Sequence, residues 1–297
     1  MRLISYTTSE PVTQPQVGAV VEERVIPLLS LEGFPDSMLD LIRHGQQEWD
    51  RLRRALAGTP SQEVALKEVT LLAPIPRPSR NILCLGWNYS AHASESSKAI
   101  GQDVPIPEHP IVFTKAPSTT NRPRGEFVYD RALTEEIDWE VELGVIIGKT
   151  GKGIPVERAL DHVFGYLVIN DISARDIQRR HKQFFLGKSL DGACPMGPWI
   201  VTADEIADPQ ELRLRCYVND VLKQDGTTAD QIFSVAETIS ILSRGMTLEA
   251  GDIIATGTPD GVGFARTPPE YLGHGDIVRC EIEEIGYIET RISTKPH

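Results

Sequence analysis

The sequence predicts an α+β protein that is rich in β-strands, and three observations support this fold class. Pro and Gly are plentiful, at 21 and 24 in 297 residues, which indicates many turns between short strands. Short apolar runs recur along the chain, whereas helical periodicity is confined to a few segments. The strands do not alternate regularly with helices, so a doubly wound sheet of the Rossmann type is not expected.

The N-terminal quarter predicts a small α+β domain over residues 1–75. It begins with two or three short strands, and a helix is predicted from about Met38 to Leu56. A proline-rich connector follows near residue 75 and predicts a domain boundary. The second, larger domain then covers residues 76–297.

The larger domain is mostly strands. Only two helices are predicted in it, at about Val156–His162 and Asp230–Leu242. The predicted strands are Ile82–Leu85, Ile111–Thr114, Trp139–Ile147, Val163–Ile169, Trp199–Thr202, Leu212–Val218, Asp252–Thr256 and Asp276–Ile285.

Charge and composition exclude several classes of function. The net charge of −12 and the pI of about 5.1 argue against a nucleic-acid partner. No apolar run approaches the ~20 residues of a membrane span, and no secretory signal is seen, so we expect a cytoplasmic protein without a membrane partner. The widely spaced cysteines form no Cys-x-x-Cys pair and are expected to be reduced and buried: Cys84, Cys194, Cys216 and Cys280.

Three acidic residues alternate in a segment that otherwise reads as a strand. Side chains alternate between the two faces of a strand, so Asp138, Glu140 and Glu142 would share one face. Burying like charges together is costly unless a cation compensates, and carboxylates suit Mg²⁺, Mn²⁺ or Ca²⁺. The alternative is a solvated edge strand, which carboxylates also favour.

A fourth carboxylate, Asp171, ends the nearly continuous apolar run Val163–Asn170. This position places a charge at the mouth of a buried strand, although a turn or N-cap Asp is equally common there. With Glu140 and Glu142 it would give three carboxylates and leave coordination positions for water and a bidentate ligand.

The segment after Asp171 carries the groups that could recognise a carboxylate. Ser173 and Asp176 resemble a capping arrangement, and Arg175 and Gln178 lie three residues apart on one helical face. A guanidinium and an amide beside a metal suit a carboxylate ligand. The remaining basic residues are interpreted as a solvated face: Arg179, Arg180 and Lys182.

A possible acid–base pair lies earlier in the chain. If Ser90 begins a helical turn, His92 and Glu95 are adjacent in space, and the carboxylate would orient the imidazole and raise its basicity. The alternative is a surface histidine with an incidental neighbour. Lys188, taken alone, reads as a surface lysine. The glycine-rich turn at 256–263 lacks a Walker lysine and is not expected to bind a nucleotide.

These segments, in this order, resemble the fumarylacetoacetate hydrolase family from about Asn81 to Ile292, and within it the "domain-containing protein 2" type and its bacterial relatives. Each motif alone is weak, but eight in sequence are specific. They are Gly86–His92, Phe113–Lys115, Asp138–Gly144, Asn170–Asp176, Gly187–Asp191, Cys194–Pro198, Thr256–Pro259 and Gly275–Asp276.

The resemblance implies a mixed β-roll or sandwich, a homodimer, and Mg²⁺ or Mn²⁺ bound by Glu140, Glu142 and Asp171. It implies a water-activating dyad of His92 and Glu95, and Lys188 as the group that stabilises an enolate or oxyanion. Five further positions match substrate contacts in the family: Tyr89, Lys115, Arg175, Gln178 and Thr258.

The expected function is metal-dependent hydrolysis of a C–C bond in an acylpyruvate or β-diketo acid, of the fumarylacetoacetate or fumarylpyruvate type. The alternative keeps the metal–enolate chemistry without water attack, as an oxaloacetate decarboxylase or tautomerase or a 2-hydroxyhepta-2,4-diene-1,7-dioate isomerase. A third hypothesis is a non-enzymatic protein whose carboxylates only stabilise the fold through a metal. His92, Glu95 and Lys188 together count against it.

Overall fold

The computed structural model describes residues 1–9, 14–58, 62–99, 101 and 107–295. It confirms the predicted strand-rich α+β class. The described α-helices are few and short: α1 (Met38–His44), α2 (Gln46–Leu56), α3 (Ser90–Ala99), α4 (Arg175–His181), α5 (Phe185–Lys188) and α6 (Val235–Gly245).

The described strands are more numerous and mostly short. They are β1 (Arg2–Thr7), β2 (Gln16–Val21), β3 (Arg24–Pro27), β4 (Val64–Ala65), β5 (Thr70–Leu71), β6 (Ile82–Gly86), β7 (Ile111–Lys115), β8 (Thr120–Asn121), β9 (Glu126–Tyr129), β10 (Ile137–Asp138), β11 (Val141–Ile147), β12 (Val163–Asn170), β13 (Ser173–Ala174), β14 (Cys194–Thr202), β15 (Arg213–Val218), β16 (Val221–Thr227), β17 (Ile253–Ala255), β18 (Ile277–Ile282) and β19 (Gly286–Thr294).

One large sheet carries the site. Its strands run in the order β4-β3-β2-β1-β14-β12-β11-β17-β6-β7, and a second sheet has the order β16-β15-β18-β19-β9. Strands β11 and β12 lie near the middle of the large sheet and are buried along their whole lengths. Two extended apolar clusters pack around them, so the site is positioned by the most buried part of the molecule.

The N-terminal strands continue the same sheet. Strand β1 pairs antiparallel with β14, with Arg2 opposite Val201 and Leu3 opposite Ile200. The sheet therefore runs across the boundary predicted near residue 75, and the division into two domains stays a prediction.

The predicted helix from Met38 to Leu56 is two helices, so that prediction was wrong in its continuity. Gly45 separates them with a φ of +79° and ψ of −170°, a conformation that no helix contains. Ser37 caps α1 by accepting a hydrogen bond from the Asp40 amide at 3.2 Å. A single glycine was therefore enough to interrupt a continuous amphipathic pattern.

Other helical predictions needed smaller corrections. The segment Val156–His162 is a 3-10 helix. Helix α6 starts later than predicted because Ser234 and Glu237 form a capping box that fixes its N-terminus. Ser173 does not cap α4, whose N-cap is Ala174. Among the described residues, no helix is both long and apolar enough to cross a membrane.

Candidate active site

Three carboxylates meet at the paired ends of β11 and β12. The two strands are antiparallel, and Val141 lies opposite Asn170, so the residue before one strand is next to the residue after the other. The Asp171 amide donates to the Glu140 carbonyl at 2.9 Å. Ligand oxygens of Glu140, Glu142 and Asp171 all lie within 4.8 Å of one another, and all three side chains are buried.

Asp138 does not join this cluster, contrary to the shared strand face that the alternation predicted. The strand is interrupted at residues 139–140, so Asp138 belongs to β10 and Glu142 to β11. The buried Asp138 carboxylate instead accepts hydrogen bonds from Arg175 Nε at 2.8 Å, the Gly263 amide at 2.7 Å and the Phe264 amide at 3.1 Å. It ties a distant loop to the site.

Two lysines balance the charge of the cluster. Lys188 Nζ donates to Glu140 Oε2 at 2.6 Å and to Asp171 Oδ2 at 2.8 Å, and it is buried rather than exposed. Lys115 Nζ donates to the other Asp171 oxygen at 2.6 Å and to the Ile172 carbonyl at 3.1 Å. Asp171 is therefore held on both of its oxygens by ammonium groups.

Arg175 links Asp138 to the cluster. Its Nη2 donates to Glu140 Oε1 at 2.6 Å, while its Nη1 donates to Gln178 Oε1 at 3.1 Å. Arg175 and Gln178 lie on one face of α4, as their spacing predicted. Since the Gln178 oxygen accepts from Arg175, its amide NH₂ is the part left to donate to a ligand.

The electrostatics divide the carboxylates into two kinds. Burial opposes ionisation of Glu140, but the positive charges of Lys188 and Arg175 lower its pKa to about 2. Burial raises the pKa of Glu142 well above its usual range, and the like charges of Asp171 and Glu140 add to this. Among the described residues Glu142 has no ion-pair partner, and its Oε2 accepts from the Gly257 amide at 2.8 Å.

This donor set fits a divalent cation. Oxygens bound to one Mg²⁺ at about 2.1 Å lie roughly 3.0 to 4.2 Å apart, so small side-chain rotations within the observed 4.8 Å are sufficient. A cation would also offset the repulsion that raises the pKa of Glu142. The three oxygen donors are of the type preferred by hard metals rather than by zinc or copper.

The predicted pair on α3 is formed. Helix α3 begins at Ser90, and His92 Nδ1 lies 2.9 Å from Glu95 Oε1. The Gly261 amide donates to both Glu95 oxygens, at 3.0 and 2.9 Å, and so fixes the carboxylate. With Nδ1 engaged by Glu95, Nε2 is the ring nitrogen that His92 offers to a ligand.

A cleft of about 750 Å³ joins the two groups. Glu140, Glu142 and Lys188 lie on one side, and His92 contributes to its lining. The predicted contacts Arg175, Gln178 and Thr258 also line it. The Thr258 hydroxyl donates to the Val141 carbonyl at 2.8 Å and accepts from Gln224 Nε2 at 2.8 Å, which fixes its position beside the cluster.

Two predicted substrate contacts lie outside the lining of this cleft. Lys115 is fully buried behind Asp171. Tyr89 is 1% exposed, its hydroxyl accepts from Gln231 Nε2 at 3.3 Å, and burial raises its pKa. In this conformation both support the site from behind, and their contact with substrate stays a prediction.

Several residues that shape the site lie within motifs that the sequence analysis recognised, but it gave them no role. Asn88 donates to the Phe233 and Thr256 carbonyls at 3.0 and 2.8 Å and thereby positions the turn that carries Gly257. Gly257 has a φ of +93°, and a Cβ there would lie 2.8 Å from the Asn88 Cβ. Trp87 lines the cleft with a φ of +54°. A left-handed conformation at a tryptophan has no local signal in the sequence.

Comparisons with known proteins agree with this geometry. Residues 81–293 match the family model described as "Fumarylacetoacetate (FAA) hydrolase C-terminal". The chain is 45% identical to oxaloacetate tautomerase YisK of Bacillus subtilis (strain 168), over 97% of this chain and 100% of that protein. It is 43% identical to mitochondrial oxaloacetate tautomerase FAHD2A of Homo sapiens, over 87% and 80%.

A solved structure is similar over the whole chain. Maleylpyruvate hydrolase from Sphingobium sp. SYK-6, in complex with a manganese(II) ion and pyruvate, superposes with a TM-score of 0.80 at 30% identity, covering 100% of both chains. The similarity includes a protein that holds a divalent cation, which agrees with a buried carboxylate triad able to bind one here.

Proposed function

Because the chain belongs to the fumarylacetoacetate hydrolase family, we propose that it is an oxaloacetate tautomerase that interconverts the enol and keto forms of oxaloacetate with Mg²⁺ or Mn²⁺. This is the alternative rather than the first expectation drawn from the sequence. The observation that carries it is the 45% identity to an oxaloacetate tautomerase over nearly the whole chain. The buried triad of Glu140, Glu142 and Asp171, with Lys188 beside it, supports the metal–enolate chemistry that this reaction needs.

The triad would hold the cation. When bound, the cation would polarise the 2-oxo group of the substrate and would bind both this group and the adjacent carboxylate. The buried Lys188 ammonium would place positive charge beside the oxygen that becomes an enolate. Its pKa is raised because the attraction of Asp171 and Glu140 outweighs the effect of burial, so it stays protonated and acts as a charge, not as a base.

His92 would move the proton at C3. Histidine is the usual side chain for proton transfer near neutral pH. In the direction of the enol, His92 Nε2 would take the C3 proton, the C–H electron pair would form the C2–C3 double bond, and the C2 oxygen would gain the carbonyl electron pair and a proton from solvent. In the reverse direction, the imidazolium returns a proton to C3 while the C2 hydroxyl gives its proton to solvent. Glu95 would hold the imidazole in the tautomer that leaves Nε2 free.

A second candidate is C–C hydrolysis of an acylpyruvate. The His92–Glu95 contact at 2.9 Å favours it, because the same pair could activate a water molecule. The similarity to a maleylpyruvate hydrolase supports it as well. Both reactions need the same enolate stabilisation. They differ in whether His92 exchanges a proton with the substrate or activates a water molecule that attacks it.

The deciding experiment compares three reactions on one preparation loaded with Mg²⁺ or Mn²⁺. We expect accelerated loss of the ultraviolet absorbance of enol-oxaloacetate, abolished by chelator, with slower release of CO₂ from oxaloacetate and of pyruvate from acylpyruvates. Acylpyruvate cleavage without tautomerase activity would contradict the proposal. Inactivity in all three assays, combined with a melting temperature that chelator lowers, would favour a structural metal instead.

The assembly expected from the sequence is also part of the proposal. We propose a homodimer, which light scattering of the purified full chain would test. A monomer at assay concentrations that retains full activity would contradict it.

A further inference from the structure

We propose that Lys182 is a specificity-determining residue that binds the distal carboxylate of a dicarboxylic 2-oxo acid. The inference rests on the proposed function for the end of the substrate that carries the 2-oxo group, and it adds a second recognition point at the other end. Sequence reasoning interpreted Lys182 as part of a solvated basic face. In the structure it lines the cleft.

Helix α4 carries a row of cleft residues from the carboxylates outwards. Arg175, Gln178 and Arg179 share one face of α4, Lys182 is the C-cap that follows the helix, and all four line the cleft. Arg175 is buried against Glu140, whereas Lys182 is exposed. Seven residues of helix rise about 10 Å. Lys182 is therefore further from the carboxylates than Arg175 is, at the exposed end of this row of cleft residues.

Lys182 also differs from its basic neighbours in having an uncommitted charge. Arg179 is paired with Glu136 at 2.5 Å, and Arg180 lies 3.8 Å from Asp176. Within the part of the chain that the structure describes, Lys182 has no ion-pair partner. An anionic ligand that enters the cleft can therefore pair with Lys182 without breaking an existing ion pair.

The backbone at Lys182 is held in a rarely used conformation. The Gln183 amide donates to the His181 carbonyl at 2.6 Å across Lys182, which has φ +61° and ψ −42°. This is a γ-turn of the strained kind, and such strain is found preferentially at ligand sites. Of the described non-glycine residues with positive φ, four lie in turns between paired strands, at Glu22, Asn219, Asp220 and Glu284.

The remaining two described non-glycine residues with positive φ are Lys182 and Trp87, and both line the cleft. Four apolar side chains also line the cleft: Leu85, Trp87, Phe113 and Phe184. The two phenylalanine rings form an edge-to-face pair with centroids 5.4 Å apart. The cleft volume of about 750 Å³ falls in the range of roughly 300–1,000 Å³ that accommodates drug-sized ligands. Apolar side chains along the chain of a substrate and a free cation near the rim suit an acid with a charge at each end.

The test uses two probes of equal chain length, 2-oxoglutarate and 2-oxopentanoate, which differ in having a carboxylate or a methyl group at the distal end. Binding of each to the Mn²⁺-loaded protein is measured by calorimetry. Lys182→Gln should weaken 2-oxoglutarate binding about threefold to fivefold, the value of one exposed ion pair, and leave 2-oxopentanoate unchanged. Lys182→Arg should restore most of the affinity, and added salt should reduce the difference between the probes.

Arg180→Gln is the matched control, because it removes a positive charge two residues away that does not line the cleft. Equal weakening of both probes, or of neither, by Lys182→Gln would overturn the inference, as would the same selectivity in Arg180→Gln. Binding does not depend on turnover. A wild-type protein that is inactive on oxaloacetate but binds 2-oxoglutarate through Lys182 would contradict the proposed function and leave this inference standing.

Discussion

The two functional sides of the cleft are held in different ways. The carboxylate wall consists of Glu140 and Glu142, which line the cleft, together with the fully buried Asp171. It lies at the paired ends of two central strands and is fixed by buried hydrogen bonds and ammonium groups. The α3 wall consists of His92, which lines the cleft, and its partner Glu95. Both lie on a ten-residue helix outside the large sheet, and the Gly261 amide holds the Glu95 carboxylate.

This difference assigns the chemistry to separate parts of the fold. Under the proposed function, cation binding and enolate stabilisation would depend on the carboxylate wall, where any change disturbs buried charges. Proton transfer would depend on the α3 wall, whose helix is not part of the large sheet. Relatives named for tautomerase and for hydrolase activity are compatible with such a division, because one wall can be kept while the other is altered.

The largest effect is expected from the carboxylate wall. Glu142→Ala should remove detectable cation binding by calorimetry and reduce oxaloacetate tautomerisation to the rate without enzyme, because one of three ligands is lost. Glu135→Gln, which alters an exposed carboxylate, is the control. Retained metal-dependent activity in Glu142→Ala would show that the ligand assignment is wrong.

The α3 wall should lose turnover but keep its metal. His92→Gln should lower kcat for tautomerisation about a hundredfold or more, the usual contribution of an acid–base group, with unchanged Mn²⁺ affinity. His181→Gln replaces an exposed histidine and should leave both quantities unchanged. If cation affinity fell together with kcat, the two walls would not be separable in the way described.

A substitution at Asp138 tests whether cation binding by the carboxylate wall depends on the hydrogen bonds around it. Asp138→Asn should weaken cation binding about tenfold to a hundredfold, because an amide cannot accept from Arg175 and from the Gly263 and Phe264 amides together. Calorimetry with Mn²⁺ measures this, and Asp176→Asn is the neighbouring control. Unchanged affinity in a stably folded Asp138→Asn protein would reduce Asp138 to a structural residue.

The sequence predicts those parts of the site whose interacting residues lie close together along the chain. The abrupt end of an apolar run at Asp171 and the three-residue spacing of His92 and Glu95 are local features, and the structure forms both the carboxylate cluster and the pair on α3. The Gly261 contact spans 166 residues, and no local pattern announces it. The same holds for the loop that binds Asp138.

The fold follows the same rule. Strand β12 was predicted because a nearly continuous apolar run leaves few other solutions, and β11 because its segment alternates in the way a strand does. The break at residues 139–140 was not, because alternation continues through it in the sequence while the backbone turns Asp138 towards a different partner. Lys188 shows the limit most clearly, since a lysine taken alone is expected on the surface and is here buried against two carboxylates.

The smallest expected effect is the response of the carboxylate wall to pH. Glu142 has a raised pKa and so holds a proton at higher pH than an ordinary carboxyl, whereas Glu140, with a pKa of about 2, stays ionised. A cation must displace the proton on Glu142. Affinity should therefore fall as pH decreases below the pKa of Glu142, by at most about tenfold per pH unit, and become constant above it.

Calorimetric titration with Mn²⁺ in two buffers of different ionisation enthalpy measures the proton released on binding. Up to one proton should be released below the pKa of Glu142, and none well above it. The Glu135→Gln protein should behave like the wild type, because that exposed carboxylate is not part of the wall. Affinity that does not change with pH would mean that Glu142 is already ionised before the cation binds, and that Lys115, Lys188 and Arg175 suffice to balance the repulsion among the three carboxylates.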